Sequence, residues 1–403
     1  MVDNMANEDF ITMFHRLTSV GWSEENGVNR LALNEYDIQA RKNLEDEMKA
    51  VKADIKHDDA GLIFGTLGSG KDNTAIGSHM DSVPNGGRFD GFYGVMSGMQ
   101  LLKELGSTLK NRKITAIDFT NEEGARFQPS LLGSGMSTGV FTKEFTYSRK
   151  DSDGITFEDA LEKSGYMGEE QNRVKNQDIS RYLELHIEQG PVLELENYQV
   201  GIPKGIVTMV VDNVSFTGES NQAGPTPMKV RKDALVAASR FTVAVRDMAK
   251  SSGKELTMTV GKINNFPNAY NVIPGKVTMN LDTRSPDKKT AEEYSKMAKE
   301  ISERIASEEG VPVDFKNQWT TETTIFEEDM RKEIIKSCKS LNLKYKELYS
   351  WPGHDAQYMN RVVPTAMIFI PSHNGRSHTK EEYSSDQDLI NGYSILKRTV
   401  ENL

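Results

Sequence analysis

One local design recurs along the chain: a short apolar run that ends in a turn with histidine or carboxylate residues. "TAIGSHM" reads as a buried strand, and "GVMSGMQLLKEL" follows it as a helix with Val95, Met99, Leu102 and Leu105 along one face. The runs "KITAIDF", "RYLELHI" and "TAMIFI" repeat the strand pattern. Strands that alternate with helices predict an α/β fold with a mostly parallel sheet covered on both faces. Such sheets bind ligands at the carboxyl ends of their strands.

The pattern changes between about residue 207 and residue 320. Strands are predicted at "VTMVVDNVSF", "ELTMTVGKI", "KVTMNLDTR" and "VPVDF", and helices at "DALVAASRFTVAVRDMAK" and "AEEYSKMAKEISERIA". Their order is βαββαβ, the ferredoxin-like arrangement of a small domain. A chain of 403 residues is also long for one hydrophobic core. We therefore predict a small domain at 207–322, inserted into a larger one formed by 1–206 and 323–403.

Composition excludes several classes of function. Lys plus Arg number 49 and Asp plus Glu number 59, and the net charge of −10 disfavours nucleic-acid and acidic-membrane partners. The single cysteine, Cys338, excludes an internal disulfide and a cysteine-based metal cluster, which fits a reducing compartment. The first ten residues lack the apolar core of a signal peptide, and no run approaches the roughly 20 apolar residues of a membrane span. We expect a cytoplasmic protein.

Histidines and carboxylates gather at the ends of the predicted strands. Three of the seven histidines lie there beside acidic residues, and the full set is His79, Asp90, Glu122, Glu123, His186 and His378. Imidazoles and carboxylates without thiolates suit zinc, manganese or cobalt, and a carboxylate such as Asp90 can bridge two ions. Adjacent glutamates would then divide their roles, one as a metal ligand and the other as the base that takes a proton from water.

Each residue also has a structural alternative. His79 could be a hydrogen-bonded core histidine, Asp90 could belong to a turn, and "NEE" could open a helix whose dipole favours acidic residues. Asn271 and Arg284 could be a turn residue and a surface cation, although arginine also grips carboxylates through two parallel hydrogen bonds. Taken singly, the structural alternatives are favoured, and the joint occurrence of the strand-end residues favours a metal site.

The sequence resembles the two-metal amidohydrolases that include N-carbamoyl-L-amino-acid hydrolase, allantoate amidohydrolase and β-ureidopropionase, within the aminoacylase and dipeptidase superfamily. The resemblance rests, in family order, on "GSHMDSVPNGGRFDG", "TNEEGARF", "LELHIEQGPVLE", "FTGESNQAGPTPM", "NAYNVIPG", "GHDAQYM" and "NGRSHTKEE". It implies a catalytic domain of the two-metal aminopeptidase type and two divalent ions per subunit. The implied ligands are His79, Asp90 as the bridge, Glu123, His186 and His378.

The same resemblance implies roles around the metals. Glu122 would be the general base, and Asp81 would orient His79. Residues expected near the substrate are Gln189, Asn271, Arg284, Gly353 and His354, with Asn271 and Arg284 reaching across from the partner subunit of a homodimer. The inserted domain would serve as dimerisation surface and lid.

One position departs from the family pattern. Where the family usually has Asn-His-Ala-Gly, this chain has "NQAG", so Gln222 replaces the histidine that donates to the developing oxyanion. An amide can donate that hydrogen bond, but it cannot carry a positive charge or exchange a proton. A catalytically silent binding protein is the alternative that this change raises, and the retained base Glu122 argues against it. The role of Arg88 stays open between a substrate contact and a pairing with a nearby carboxylate.

The resemblance implies hydrolysis of the carbamoyl C–N bond of N-carbamoyl-L-amino acids. The alternative substrate is allantoate, which presents a ureido group and a carboxylate in a similar arrangement. In allantoate enzymes of the family the first strand of the inserted domain carries arginine, whereas this chain has Met209, Val210 and Val211. A dipeptidase or aminoacylase would use the same metal centre and is the less favoured alternative.

Overall fold

The computed structural model describes residues 2–403, with side chains described from residue 6 onward. The chain divides into two compact units. The first, called the sheet unit, comprises the chain up to Gly205 together with Ile325–Leu403. The second, called the inserted unit, comprises Ile206–Thr324. Within the described residues no helix combines the length and the apolar character needed to cross a membrane.

The sheet unit contains most of the helices and strands. Its strands are β1 (Trp22–Ser23), β2 (Gly27–Val28), β3 (Asp54–His57), β4 (Ile63–Gly68), β5 (Asp72–His79), β6 (Arg112–Phe119), β7 (Arg181–Ile187), β8 (Val200–Ile206), β13 (Thr324–Ile325), β14 (Tyr345–Ser350) and β15 (Thr365–Ile370). Its α-helices are α1 (Val2–Thr18), α2 (Glu35–Ala50), α3 (Phe92–Leu105), α4 (Leu132–Thr138), α5 (Lys143–Tyr147), α6 (Phe157–Ser164), α7 (Val192–Leu195), α10 (Glu328–Ser340), α11 (Ala356–Met359) and α12 (Asp386–Asn402).

A mixed sheet runs through this unit in the order β13-β8-β15-β7-β5-β6-β4-β3, and β14 pairs with β8. The four central strands β15, β7, β5 and β6 are mutually parallel. Strands β8, β4 and β3 add antiparallel edges. Every residue of β15 is buried, as expected for a strand covered on both faces. The predicted α/β fold with a mainly parallel central sheet is confirmed.

Helix α3 packs very closely on the central strands. A Cβ atom on Gly94 would lie 2.6 Å from the carbonyl oxygen of Leu185 on β7, and one on Gly98 would lie 2.9 Å from that of Ile76 on β5. Only residues without a Cβ permit this approach of helix to sheet. The helix begins directly after the Asp90–Gly91 turn, so its packing fixes that turn at the ends of β5 and β7.

The inserted unit is a four-stranded antiparallel sheet with two long helices. Its elements are β9 (Thr208–Thr217), α8 (Ala234–Ser251), β10 (Thr257–Phe266), β11 (Lys276–Ser285), α9 (Lys288–Glu309) and β12 (Val313–Thr320). The strand order is β10-β11-β9-β12, which is the ferredoxin-like order for βαββαβ connectivity. Phe216 and Phe241 lie in its core with apolar residues of both helices and all four strands. The predicted ferredoxin-like insertion is confirmed.

Candidate functional site

The four parallel strands deliver the predicted metal-binding residues to one edge of the sheet. His79 is the last residue of β5, and His186 is the last but one of β7. Glu122 and Glu123 follow β6 after two residues, and His378 lies in the segment after β15. Because parallel strands end at the same edge, residues far apart in sequence become neighbours there. His79, His186 and Glu122 are buried, and the His378 side chain is 48% exposed.

Asp90 lies at the centre of this group. Its Oδ1 atom is 3.0 Å from Nε2 of His186 and 3.7 Å from Nε2 of His79. Its Oδ2 atom is 3.2 Å from Nε2 of His378, which in turn lies 3.5 Å from Oε2 of Glu123. The two carboxylate oxygens therefore face two different sets of side-chain donor atoms, as a bridging carboxylate would require.

Two donor clusters share this aspartate. One nitrogen or oxygen atom from each of His79, Asp90 and His186 lies within 4.8 Å of the others, and the same holds for Asp90, Glu123 and His378. Imidazole and carboxylate donors in this combination suit zinc, manganese or cobalt. One nitrogen or oxygen atom from each of Glu184, His186 and His354 also lies within 4.8 Å of the others, and these residues form a third cluster. In this third cluster the Glu184 carboxylate already accepts hydrogen bonds from Ser78, Tyr182 and the Ala356 N–H. These protein contacts occupy both of its oxygens.

The histidine contacts test whether cations fit the two clusters that share Asp90. Nδ1 of His79 lies 2.9 Å from the carbonyl oxygen of Asp81, and Nδ1 of His186 lies 2.8 Å from that of Ile187. Carbonyl oxygens only accept, so each Nδ1 carries the proton and a neutral ring turns the Nε2 lone pair toward Asp90. The Nε2 lone pair of His186 accepts a hydrogen bond from the Gly91 N–H at 3.1 Å. The Nε2 lone pair of His79 faces oxygens of Asp90 and Glu122, which it repels unless a cation lies between them. The residues present therefore fit divalent ions.

The negative charge of Asp90 shifts the pKa values of the histidines around it. The hydrogen bond to Asp90 raises the pKa of His378 to about 9, against the effect of partial burial. Burial lowers the pKa of His186, but the hydrogen bond and charge of Asp90 outweigh burial and the net pKa is raised. Burial lowers the pKa of His79 to about 4 and keeps that ring neutral. The charge of Asp90 thus favours a positive charge at the two nearest histidines.

Asp81 connects the His79 loop to the glutamate pair. Its carboxylate accepts hydrogen bonds from the main-chain N–H of Glu122 at 3.1 Å and of Glu123 at 3.3 Å. The short contact with His79 comes from its main-chain carbonyl, while Oδ1 is 3.8 Å from Nδ1. Asp81 therefore holds His79 through its backbone and the glutamate segment through its side chain.

Both glutamates lie in a strongly perturbed environment. Burial raises the pKa of Glu122 well above its usual value, and the neighbouring charges of Asp355, Glu123 and Asp81 add to the effect. Burial and the charge of Asp90 likewise raise the pKa of Glu123 well above its usual value. Oε2 of Glu122 lies 3.5 Å from Nε2 of His79, but Glu122 belongs to neither cluster that shares Asp90. A buried carboxyl beside such donor clusters, and not part of them, is suited to general acid–base chemistry.

Two further predicted residues line the same group. Gln189 donates from Nε2 to Oδ2 of Asp90 at 2.7 Å and lies 3.3 Å from Nε2 of His378. The His354 ring lies 4.5 Å from the His186 ring, centroid to centroid, and its Nε2 is 3.0 Å from Oγ of Ser350. Gly353 precedes His354 in the loop between β14 and α11. His354 therefore packs against the ring of His186.

The remaining predicted residues belong to the inserted unit. Gln222 pairs with Val272 in an antiparallel bridge, and the adjacent Ala223 N–H donates to the carbonyl of Asn271 at 2.9 Å. Gln222 and Asn271 are thus neighbours, and both are exposed. Arg284 lies near the end of β11 and donates to Asp282 through Nε at 2.9 Å and Nη2 at 2.7 Å.

Arg88 has a structural role that neither sequence alternative described. Its Nη2 atom donates to the carbonyl of His15 at 3.1 Å and to Oγ1 of Thr18 at 3.0 Å, and its guanidinium carbon lies 5.3 Å from the Trp22 ring centroid. It therefore caps the last turn of α1, where carbonyl groups lack partners within the helix.

Sequence reasoning missed Glu382. This buried carboxylate accepts hydrogen bonds from the main-chain N–H groups of Phe89 at 2.8 Å and of Asp90 at 3.0 Å. The only signal was its place in "SHTKEE", four residues after His378. Burial raises the pKa of Glu382 to about 7 even though these donors favour the ionised form.

Comparison with known proteins gives a consistent picture. A sequence model of peptidase family M20/M25/M40 matches residues 75–402. Allantoate amidohydrolase of Bacillus subtilis (strain 168) is 33% identical over 385 residues, which cover 94% of this chain and 93% of that protein. N-carbamoyl-L-amino-acid amidohydrolase of Rhizobium meliloti is 32% identical over 391 residues, covering 95% and 93%. The crystal structure of an amidase of the hydantoinase/carbamoylase family from Burkholderia multivorans superposes with a TM-score of 0.88 at 32% identity, covering 98% of this chain and 96% of that one.

Proposed function

The chain belongs to peptidase family M20/M25/M40, and from this premise we propose that it hydrolyses the carbamoyl C–N bond of N-carbamoyl-L-amino acids. The products are the amino acid, carbon dioxide and ammonia. The proposal treats His79, Asp90, Glu123, His186 and His378 as the ligands of two divalent ions. It further treats the protein as a cytoplasmic homodimer formed through the inserted unit.

The observation that carries the proposal is the position of Asp90. Its two carboxylate oxygens face His186 and His378 at 3.0 and 3.2 Å, which is the arrangement that a bridge between two ions requires. When bound, the ions would polarise the ureido carbonyl and lower the pKa of the attacking water.

Glu122 supplies the proton transfers in this mechanism. Its carboxylate accepts a proton from the water as the water attacks the ureido carbonyl, and it returns this proton to the nitrogen of the departing amino acid. The carbamate that leaves then decomposes to carbon dioxide and ammonia. Asp81 holds the main chain of Glu122, so the base keeps its position while it changes charge. Gln189 and His354 keep Asp90 and His186 in place.

Residues of the inserted unit would recognise the rest of the substrate. In the proposal Arg284 and Asn271 of the partner subunit bind the substrate carboxylate, and Gln222 donates to the oxyanion. Gly353, a residue of the sheet unit, also lines the pocket in the proposal. Replacing Gln222 by alanine should then lower kcat about 10²- to 10³-fold. An unchanged kcat would exclude this role.

The sheet of the inserted unit favours a carbamoyl amino acid over allantoate. Met209 on β9 is the cross-strand partner of Arg284 on β11, and such partners share one face of a sheet. An apolar side chain therefore lies beside the proposed carboxylate-binding cation, where a second ureido group would need polar partners. Val210 and Val211 continue this apolar strand.

A substrate screen tests the proposal. The protein is supplied with manganese, cobalt or zinc and assayed on N-carbamoyl amino acids, allantoate and dipeptides, with ammonia and free amino acid measured separately. We expect equal amounts of ammonia and amino acid from carbamoyl substrates. Ammonia from allantoate alone would establish the alternative substrate, and amino acids without ammonia would establish a dipeptidase.

A further inference from the structure

One carboxylate connects two ligand segments that are remote in sequence. Oε1 of Glu382 accepts the N–H groups of Phe89 at 2.8 Å and of Asp90 at 3.0 Å, across 292 residues between Asp90 and Glu382. Oε2 accepts the N–H of His378 at 3.3 Å and lies 2.9 Å from Oγ of Ser377. Glu382 thus holds the main chain at the proposed bridging ligand and at a terminal ligand together.

The surroundings make a carboxylate specifically suitable at this position. Three N–H groups point at its two oxygens, and an amide offers only one acceptor oxygen. The loop before Asp90 packs directly against it, because a Cβ on Gly87 would lie 2.0 Å from Oε1 of Glu382. His378 has φ of 58°, a conformation that a residue other than glycine keeps only when its surroundings hold it.

We propose that Glu382 is a positioning residue that sets the ion site formed by Asp90, Glu123 and His378. The other cluster depends less on Glu382, because His79 and His186 are oriented by the carbonyls of Asp81 and Ile187. Loss of Glu382 should therefore affect the two ions unequally. This inference rests on the proposed two-metal function.

The test uses metal binding without substrate. Purified full-length protein is stripped of metal and titrated with Mn²⁺ alone, and bound ions are counted by equilibrium dialysis for wild type and for Glu382→Gln. The matched control is Glu381→Gln, which makes the same change at the neighbouring exposed residue. A second variant, Gly87→Ala, displaces the carboxylate by its methyl group and leaves Glu382 itself unchanged. Thermal unfolding of each stripped protein shows whether it is folded.

We expect Glu382→Gln and Gly87→Ala to retain one ion with nearly wild-type affinity and to bind the second about 10- to 100-fold more weakly. Glu381→Gln should bind both ions as wild type does. If the folded Glu382→Gln protein binds both ions with wild-type affinity, or binds both equally more weakly, the positioning role is refuted. Either result leaves the proposed function in place. If Glu382→Gln does not fold, the Mn²⁺ affinities of Gly87→Ala test the positioning role by the same criteria. A wild-type protein that binds fewer than two ions would refute the proposed function itself.

Discussion

The adjacent glutamates provide the most direct test of the mechanism. Glu122→Gln keeps the size of the side chain but removes the group that accepts and returns the proton. The hydrogen bond from the main-chain N–H of Glu122 to the Asp81 carboxylate does not involve the Glu122 side chain and should persist. Glu122 also lies outside both donor clusters that share Asp90. The variant should therefore fold and bind two ions.

The expected loss of activity follows from the role of a general acid–base. Such groups contribute about 10²- to 10⁴-fold to rate, so kcat should fall by this factor, equivalent to about 3–5 kcal/mol in the activation barrier. The metal-free Glu122→Gln protein should be more stable than the metal-free wild type. Because burial raises the pKa of Glu122, the wild-type protein loses stability as pH rises from the unfolded-state pKa of this group toward its folded-state pKa, and the amide removes this cost.

Stopped assays with an N-carbamoyl amino acid measure kcat, and equilibrium dialysis counts bound ions. Glu123→Gln serves as the matched control, since Glu123 lies in the cluster with Asp90 and His378. That variant should lose affinity for one ion. Full turnover by Glu122→Gln would refute the mechanism, and loss of an ion from Glu122→Gln but not from Glu123→Gln would show that the two roles are reversed.

Three further predictions concern stability. Arg41 is fully buried, with Nε 2.9 Å from Asp37 and Nη2 3.2 Å from Asp118, so Arg41→Met should destabilise the fold by about 3–5 kcal/mol in urea unfolding. Burial raises the pKa of Asp118 to about 7 despite Arg41, so its contribution to stability falls as pH rises from the unfolded value toward 7. The Arg41→Met defect should therefore be larger at pH 8 than at pH 6, and a defect independent of pH would contradict this reasoning. Chelation should abolish activity and lower Tm, because an ion at 100 times its Kd stabilises by about 2.7 kcal/mol per site, and added Mn²⁺ should restore both. Arg88→Met should cost about 1–2 kcal/mol in urea unfolding with unchanged KM, whereas a raised KM at unchanged stability would indicate a substrate contact.

Local patterns in the sequence were sufficient to predict much of this protein. Apolar runs of strand length and helical periodicities are local properties, so the α/β sheet and the ferredoxin-like insertion could be recognised without coordinates. The strand-end rule also predicted that His79, Glu122, Glu123 and His186 would meet, because parallel strands share one edge. The domain limits of 207–322 and the partner-subunit role of Asn271 and Arg284 stay predictions.

The tertiary structure decided which atoms meet at that edge. The sequence does not reveal that Asp81 contacts His79 through its main-chain carbonyl and the glutamate pair through its carboxylate. Both groups belong to the same residue, so its identity does not distinguish them. It also does not reveal that Arg88 caps α1, or that Glu382 rather than Glu381 turns inward to Asp90 and His378. These contacts join segments separated by up to 292 residues, and their partners are main-chain groups that every residue carries. The pattern of side chains along the sequence does not predict which main-chain N–H groups will donate to a buried carboxylate, because the packing of the folded chain determines those pairs.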